Sequence, residues 1–179
     1  ALLTLVSSLN LELSKAILSL QSWSPLAGRG QVLKVKLKAS NYNKIIHLID
    51  ESYNANPSSV KSSLETLACI FTNKKGKGEY YRRIAVLGDM LELGFSEIQE
   101  HVNISKFARL DKIDKIYCVG SRMKKLFDVL PCSKRGYWTE TAEEMQHVLV
   151  NKLENGDIIM IKGSFSMGMK TIVNKLKNI

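Results

Sequence analysis

Three short stretches of this sequence hold residue types suited to chemistry on charged substrates. Lys162-Gly163-Ser164-Phe165-Ser166-Met167-Gly168 joins an apolar run to a helical pattern. Its backbone amides and the helix start would favour an anion, and Lys162 adds a positive charge. Ser52-Tyr53-Asn54-Ala55-Asn56-Pro57 places three side-chain hydrogen bonders and an aromatic ring directly after another apolar run. Such a loop can stack a base on Tyr53 and hold hydroxyls with its amides, while Asn56 can also simply cap the next helix. Gly88-Asp89-Met90-Leu91-Glu92-Leu93-Gly94 is acidic and bracketed by glycines. Its carboxylates suggest a metal, but Met90, Leu91 and Leu93 read more simply as a plug for the core.

Other chemistries find less support. Neither G-x-x-x-x-G-K-[ST] nor a G-x-G-x-x-G after a strand occurs in the chain. His47, His101 and His147 are too far apart for a metal-ligand spacing, and no Ser/His/Asp or Cys/His constellation can be assigned. The three cysteines are odd in number and free of C-x-x-C, which reads as a reduced, cytoplasmic protein. A net charge of +9 favours anionic partners. The lysines of 34–38, 74–77 and 122–125 lack interleaved aromatics, however, so no nucleic-acid partner is expected. No membrane partner is expected either, because no run of about 18 apolar residues exists.

The elements that must position these loops follow from periodicity. Gln31–Lys38 alternates apolar residues with lysines, as a half-exposed strand does. Residues 45–50, 83–88, 115–120 and 157–163 are more continuously apolar strands, and 136–139 reads as an edge strand. Helices are expected over 57–71, 96–110, 121–130 and 141–153, with a last one running to the C-terminus. Asn56-Pro57 begins the first, and Thr141 with Glu144 forms a capping box for the fourth. Polar residues 40–43 and basic residues 74–78 read as connecting loops. Strands alternating with helices mean a mostly parallel sheet covered on both faces, with ligands at the carboxyl ends of the strands. That rule selects the loops at 50–56, 88–94, 120–121 and 162–168. Upstream, 1–9 and 13–21 read as short amphipathic helices, with Asn10 or Ser14 as a cap and Pro25 ending the unit. Because Ala1 opens directly into apolar helix-forming residues, the chain is expected to be a piece of a longer polypeptide.

Glu51-Ser52-Tyr53-Asn54-Ala55-Asn56-Pro57, then Ala85–Gly94 with Ser96 and His101, then Lys162-Gly163-Ser164 with Ser166-Met167-Gly168-Met169 occur in this order and spacing in one family. By these motifs the chain resembles the C-terminal domain of the Mur ligases, in particular those that add D-Ala-D-Ala to UDP-MurNAc-tripeptide. Gly28-Arg29-Gly30 looks like that family's hinge after its central ATPase domain. The resemblance implies a Rossmann-like three-layer α/β domain with a mainly parallel sheet over 31–179. Residues 1–30 would be the end of the central domain and the hinge. It implies a cytoplasmic, monomeric enzyme of peptidoglycan synthesis that uses ATP and Mg2+ to form an acyl phosphate, which the amine of D-Ala-D-Ala attacks.

The family's P-loop, magnesium ligands and modified lysine belong to the central domain. No catalytic residue or metal ligand is therefore expected in this chain, and alone it should not catalyse. By the same resemblance Arg29 would approach the ATP phosphates, the acidic Glu51 before Ser52 would bind the ribose, and Tyr53, Asn54 and Asn56 would lie near the nucleoside, with Asp50, one place earlier, also among the ATP-binding residues. Lys162, Gly163, Ser164 and Asp89 would face D-Ala-D-Ala. The sequence departs from the family with Glu51 in place of Asp and Phe165 in place of Arg. With that Arg absent, the Ser164 hydroxyl, nearby amides and Lys162 or Lys170 are expected to hold the dipeptide carboxylate. The competing readings are a nucleotide- or nucleic-acid-binding α/β module and a non-catalytic, degenerate Mur-like domain.

Overall fold

Apolar runs flanked by helical patterns become strands when both faces of their sheet can be covered, and that is what the chain achieves. The computed structural model describes residues 2–38, 43–70 and 81–178. Its strands are β1 (Gln31–Lys38), β2 (Asn43–Glu51), β3 (Arg83–Gly88), β4 (Lys115–Val119), β5 (Arg135–Thr139) and β6 (Ile158–Lys162). Its α-helices are α1 (Leu2–Ser8), α2 (Leu13–Leu20), α3 (Pro57–Cys69), α4 (Glu97–Asn103), α5 (Ser121–Val129), α6 (Ala142–Lys152) and α7 (Lys170–Lys177). Among the described residues the strands form one six-stranded sheet in the order β1-β2-β6-β3-β4-β5. Only β1 runs antiparallel, paired with β2 from Gln31 opposite Asp50 to Lys38 opposite Asn43.

Residue parity divides the core into two. Ala85 and Leu87 of β3, with Ile158 and Met160 of β6, pack beneath Leu64 and Leu67 of α3, Ile104 and Leu126. Ile84, Val86, Ile159 and Ile161 face the other way, against Met145 and Leu149 of α6 and Ile172 and Leu176 of α7. The result is the expected three-layer, mainly parallel α/β fold. The Thr141–Glu144 capping box is present, as is one at Asn56 and Ser59.

Two local expectations change. The helix expected over 96–110 stops as an α-helix at Asn103 and continues as short 3-10 turns at Ile104–Lys106 and Leu110–Lys112. Its apolar residues Ile104, Phe107, Leu110 and Ile113 recur every third position, the spacing that aligns side chains in a 3-10 turn. Upstream, α2 begins after Glu12 without a side-chain cap, so neither Asn10 nor Ser14 caps it. Ser14 Oγ instead donates to Glu12 Oε1. The connecting loop at 74–78, and residues 40–42 of the turn before β2, lie outside the described residues.

Helices α1 and α2 bury none of their residues, and Leu5 and Leu18 are 57% and 62% exposed. They therefore contribute little to the core. Deleting residues 1–21 is predicted to shift the unfolding free energy of the remainder by no more than about 0.5 kcal/mol, the scale of a surface change. Urea denaturation of the two chains measures this, and a loss of several kcal/mol would refute it.

Candidate functional site

The sheet order concentrates three chain crossings around one strand end. Strand β6 lies between β2 and β3, and Lys162 aligns with Glu51 on one side and Leu87 on the other. The chain leaves β2 and β3 toward the face of α3 and α4, but leaves β6 toward the opposite face and α7. Neighbouring connections that diverge in this way leave a crevice at the carboxyl edge of the sheet. Two adjoining clefts occupy that edge. A smaller one of about 280 Å³ is lined by Arg29, Glu51, Asn54 and Lys162. A larger one of about 610 Å³ is lined by the loops at 53–56, 91–93 and 164–166. Tyr53, Asn54 and Asn56 belong to both.

Strand alternation decides the fate of the two consecutive carboxylates. Asp50 points to the α7 side and is completely buried. Its Oδ2 accepts from Gly28 N–H at 3.1 Å and from Lys170 Nζ at 2.7 Å, and its Oδ1 from Ser52 Oγ at 2.6 Å and Ser52 N–H at 3.2 Å. Burial pushes this carboxyl up, but hydrogen bonds from Lys170 and Ser52 outweigh it, and the net shift is downward. Asp50, expected among the ATP-binding residues, thus lies beneath the clefts and lines neither. It anchors the hinge instead. Gly28 sits at φ +80°, and a Cβ there would lie 3.1 Å from Tyr53 N. The Gly28 carbonyl accepts from Tyr53 N–H at 3.1 Å, and the Asp50 carbonyl accepts from Gly30 N–H at 2.8 Å.

Glu51, one residue on, points to the α3 side and lines the smaller cleft. Lys162 shares that side and is 3% exposed. Its Nζ donates to the Asn54 carbonyl at 2.9 Å and lies 3.4 Å from Glu51 Oε2. Burial lowers its pKa, and Glu51 offsets only part of that. Lys162 was expected on the D-Ala-D-Ala side, yet parallel pairing of β2 with β6 delivers it to the cleft of Glu51. Arg29 stacks its guanidinium 3.8 Å from the centre of the Tyr53 ring. The Asn56 side chain accepts from Ser59 N–H at 2.9 Å as the α3 cap, the simpler of its two expected roles, and still lines both clefts.

The remaining substrate-side residues hold loops in place. Asp89 is 2% exposed, and its Oδ1 and Oδ2 accept from Met123 N–H at 2.7 Å and Arg122 N–H at 3.2 Å. It therefore caps α5 from another loop, supplying the acceptor that Gly120 lacks. Gly120 is at φ +103°, and a Cβ there would fall 2.5 Å from Asp89 Cγ. Ser164 is buried; its Oγ accepts from Leu91 N–H at 2.9 Å, and its N–H donates to the Asp89 carbonyl at 3.1 Å. At Gly163 a Cβ would come within 2.6 Å of Met169 Cγ. Neither Asp89 nor Gly163 lines either cleft, and Ser164 reaches the larger one with its hydroxyl already engaged. The three side chains expected to replace the missing arginine, Ser164, Lys162 and Lys170, are thus all committed elsewhere.

Two residues of the sequence motifs take places that no role had been assigned to. His101, fully buried, accepts from Met90 N–H through Nε2 at 2.9 Å, and its Nδ1 lies 2.6 Å from the Glu97 carbonyl. Both bonds are satisfied by the neutral Nδ1–H tautomer, which fastens the loop after β3. Glu92 in that loop adopts φ +64° and lines the larger cleft. Its composition gave no sign of this, since the signal is a backbone angle. Among the described residues no cluster of three or more His, Cys, Asp or Glu could hold a metal ion, and no helix is long and apolar enough to cross a membrane.

Residues 35–165 match the family model of the Mur ligase, glutamate ligase domain. The UDP-N-acetylmuramoyl-tripeptide–D-alanyl-D-alanine ligase of Mycobacterium leprae is 30% identical over 162 residues, covering 84% of this chain and 31% of the relative. The ligase of the same name from Rickettsia prowazekii is 26% identical over 147 residues, 82% of this chain and 29% of the relative. The chain spans about a third of the length of these curated relatives. Among solved structures, the MurF ligase of Thermotoga maritima in complex with ADP is similar at a TM-score of 0.75 and 20% identity. That likeness covers 98% of this chain and 36% of the other. MurF from Acinetobacter baumannii gives 0.72 at 23% identity, covering 98% and 35%. At those identities the likeness is one of fold.

The Asp50 node generates a pH prediction. Its carboxyl is held below the ordinary 3.8, so the stability it contributes is present above that value and is lost as pH falls through the lowered one. Asp50→Asn is predicted to cost about 1–2 kcal/mol at pH 7, discounted for the partly exposed Lys170. The gap between variant and wild type should be constant above about pH 5 and close below pH 4. Urea titrations at stepped pH measure it; a gap that widens in acid contradicts this account.

Proposed function

The chain belongs to the Mur ligase family, and on that premise we propose that it is the C-terminal part of an ATP-dependent ligase joining D-Ala-D-Ala to UDP-MurNAc-tripeptide in peptidoglycan synthesis. The observation that carries this reading is the smaller cleft, where Arg29 and Lys162 flank Glu51, Tyr53 and Asn54 at the crevice beside β6. Its chemistry suits a nucleotide: a carboxylate for ribose hydroxyls, a ring for stacking and an exposed guanidinium for phosphates. The ligases named above, matched along most of this chain, supply the reaction.

In that reaction the tripeptide carboxylate takes the γ-phosphoryl group of ATP and ADP leaves. The dipeptide amine then attacks the carbonyl, and phosphate departs as the amide forms. Arg29 neutralises phosphate charge, and Glu51 orients the ribose. Lys162 positions Glu51 and the Asn54 carbonyl from below. The chain spans about a third of the length of the ligases it matches, and we place magnesium binding, the P-loop and the uridine site in the remaining part of such a polypeptide. Closure of this domain over them would exclude the water that hydrolyses acyl phosphates. The enzyme is read as cytoplasmic and monomeric.

The 179-residue chain alone should release no phosphate from ATP above background. The longer polypeptide should release it only with tripeptide and D-Ala-D-Ala together, with the pentapeptide product visible by mass spectrometry. In that polypeptide Glu51→Gln should raise the Michaelis constant for ATP about tenfold, the value of one charge-assisted hydrogen bond. Absence of the pentapeptide would favour a non-catalytic Mur-like domain.

Phe165 is 75% exposed on the rim of the larger cleft and can be replaced without disturbing the core. Phe165→Arg is expected to lower the Michaelis constant for D-Ala-D-Ala about three- to fivefold by pairing with its carboxylate, and to leave that for ATP unchanged. An unchanged or raised dipeptide constant would remove this loop from carboxylate binding.

A further inference from the structure

A third hollow lies between α3 and the stretch where α4 ends. It encloses about 390 Å³ and shares no lining residue with either cleft. The break in α4 shapes it. After Asn103 the chain takes one 3-10 turn, and Phe107 then leaves that turn at ψ 124°, so one wall is a bend instead of a further helical turn. The floor is apolar. Val60 and Leu64 of α3 are each 1% exposed and Ile104 8%, and the half-buried Phe107 lines the same space.

Charge sits only at the rim. Lys61 stands on the α3 side and Lys106 on the other, both exposed, and Glu100 is the one acid among the described lining residues. None of these three side chains pairs with another described residue. Lys44, Lys115 and Lys134, by contrast, each donate to a backbone carbonyl of this chain. Two cations against one carboxylate leave the hollow with an excess of one positive charge. The start of α3 adds to that excess, because its first turn holds no acidic residue to offset the helix dipole. The space is therefore an apolar floor under an uncompensated positive rim.

We infer that this hollow binds a small apolar monoanion, an aliphatic carboxylate, with its chain on Val60, Leu64, Ile104 and Phe107 and its head group at the rim beside Lys61 and Lys106. A volume of about 390 Å³ is that of a small-ligand site. Burial of the chain supplies affinity without regard to charge, and the lysines select the sign of the head group. Glu100 repels a carboxylate at the same rim, so removing its charge tightens binding. That sign separates a carboxylate from a zwitterion, whose ammonium Glu100 would hold. The inference is independent of the reaction proposed above, because no residue it uses lines either cleft at the carboxyl edge of the sheet.

The test is an NMR titration of the isotope-labelled 179-residue chain with octanoate, octan-1-ol and octylamine, each to about 3 mM. Octanoate should move the backbone resonances of residues 60–64 and 103–108 and leave those of 91–93 and 164–166 in place. Octan-1-ol should bind about threefold more weakly, the scale of an exposed charge pair, and octylamine more weakly still. Lys61→Gln should weaken octanoate about threefold and leave octan-1-ol unchanged, while Glu100→Gln should tighten octanoate about twofold. Ala108 is an exposed lining residue, so Ala108→Phe should block the hollow and abolish binding at an unchanged melting temperature. Equal binding of the three head groups, preference for octylamine, or weaker octanoate binding by Glu100→Gln overturns the inference. So does a response confined to residues 91–93 and 164–166, or no shift with octanoate at the top of the range.

Discussion

Strand β2 ends in two adjacent carboxylates, and sheet geometry forbids them from doing the same thing. Successive side chains of a strand leave opposite faces, so Asp50 goes inward to Lys170 and Gly28 while Glu51 goes to the cleft. The buried member sets the frame. It joins the segment before β1, the loop after β2 and the first turn of α7 at one point. Removing Lys170 alone would strand a buried charge, which is far costlier than the pair itself is stabilising. The cleft-facing member pairs with Lys162 and stays partly exposed, so that it can still meet a ligand. A one-residue slip of β2 against β6 would exchange the two roles and empty the cleft of its carboxylate.

The same division recurs at the other strand ends. Most polar side chains that look reactive in the sequence turn out to hold loops: Asp89 caps α5, Asn56 caps α3, Ser164 bridges the loops after β6 and β3, and His101 fastens Met90. This is what precision at a loop-built site requires. Loops have no ladder of their own, so side chains must supply the missing hydrogen bonds, and each bond made this way fixes a backbone position. The residues left facing the clefts, Arg29, Glu51, Tyr53, Glu92 and Phe165, are few. They are presented by segments whose positions are already fixed.

The layered fold was legible in the sequence because periodicity reports burial, and the central strands β3, β4 and β6 are buried on both faces. The unbroken apolar runs of β3, β4 and β6 and the lysine-alternating β1 left little freedom in the architecture. Periodicity also explains why the helix expected over 96–110 ends as an α-helix at Asn103, since the apolar residues from Ile104 onward recur every third position and suit 3-10 turns. Arg29, Glu51, Tyr53, Asn54 and Asn56, picked out by ordered motifs, converge on one edge of the sheet. What could not be read was which side chain of each motif faces a cleft. Lys162 lies beside Glu51 because β6 pairs with β2, and strand order, unlike strand existence, is a tertiary fact. Asp89 faces α5, whose Arg122 and Met123 amides lie 33 and 34 residues away in sequence.

The two clefts share Tyr53, Asn54 and Asn56, so the loop after β2 borders both of them. The Arg29 guanidinium lies 3.8 Å from the centre of the Tyr53 ring, and the Phe165 ring centre lies 6.0 Å from it, which ties one residue of each neighbouring segment to this loop. The loop is itself held from beneath, because Gly28 N–H donates to Asp50 Oδ2 and the Gly28 carbonyl accepts from Tyr53 N–H. The buried carboxylate at the end of β2 therefore sets the position of the border that both clefts depend on.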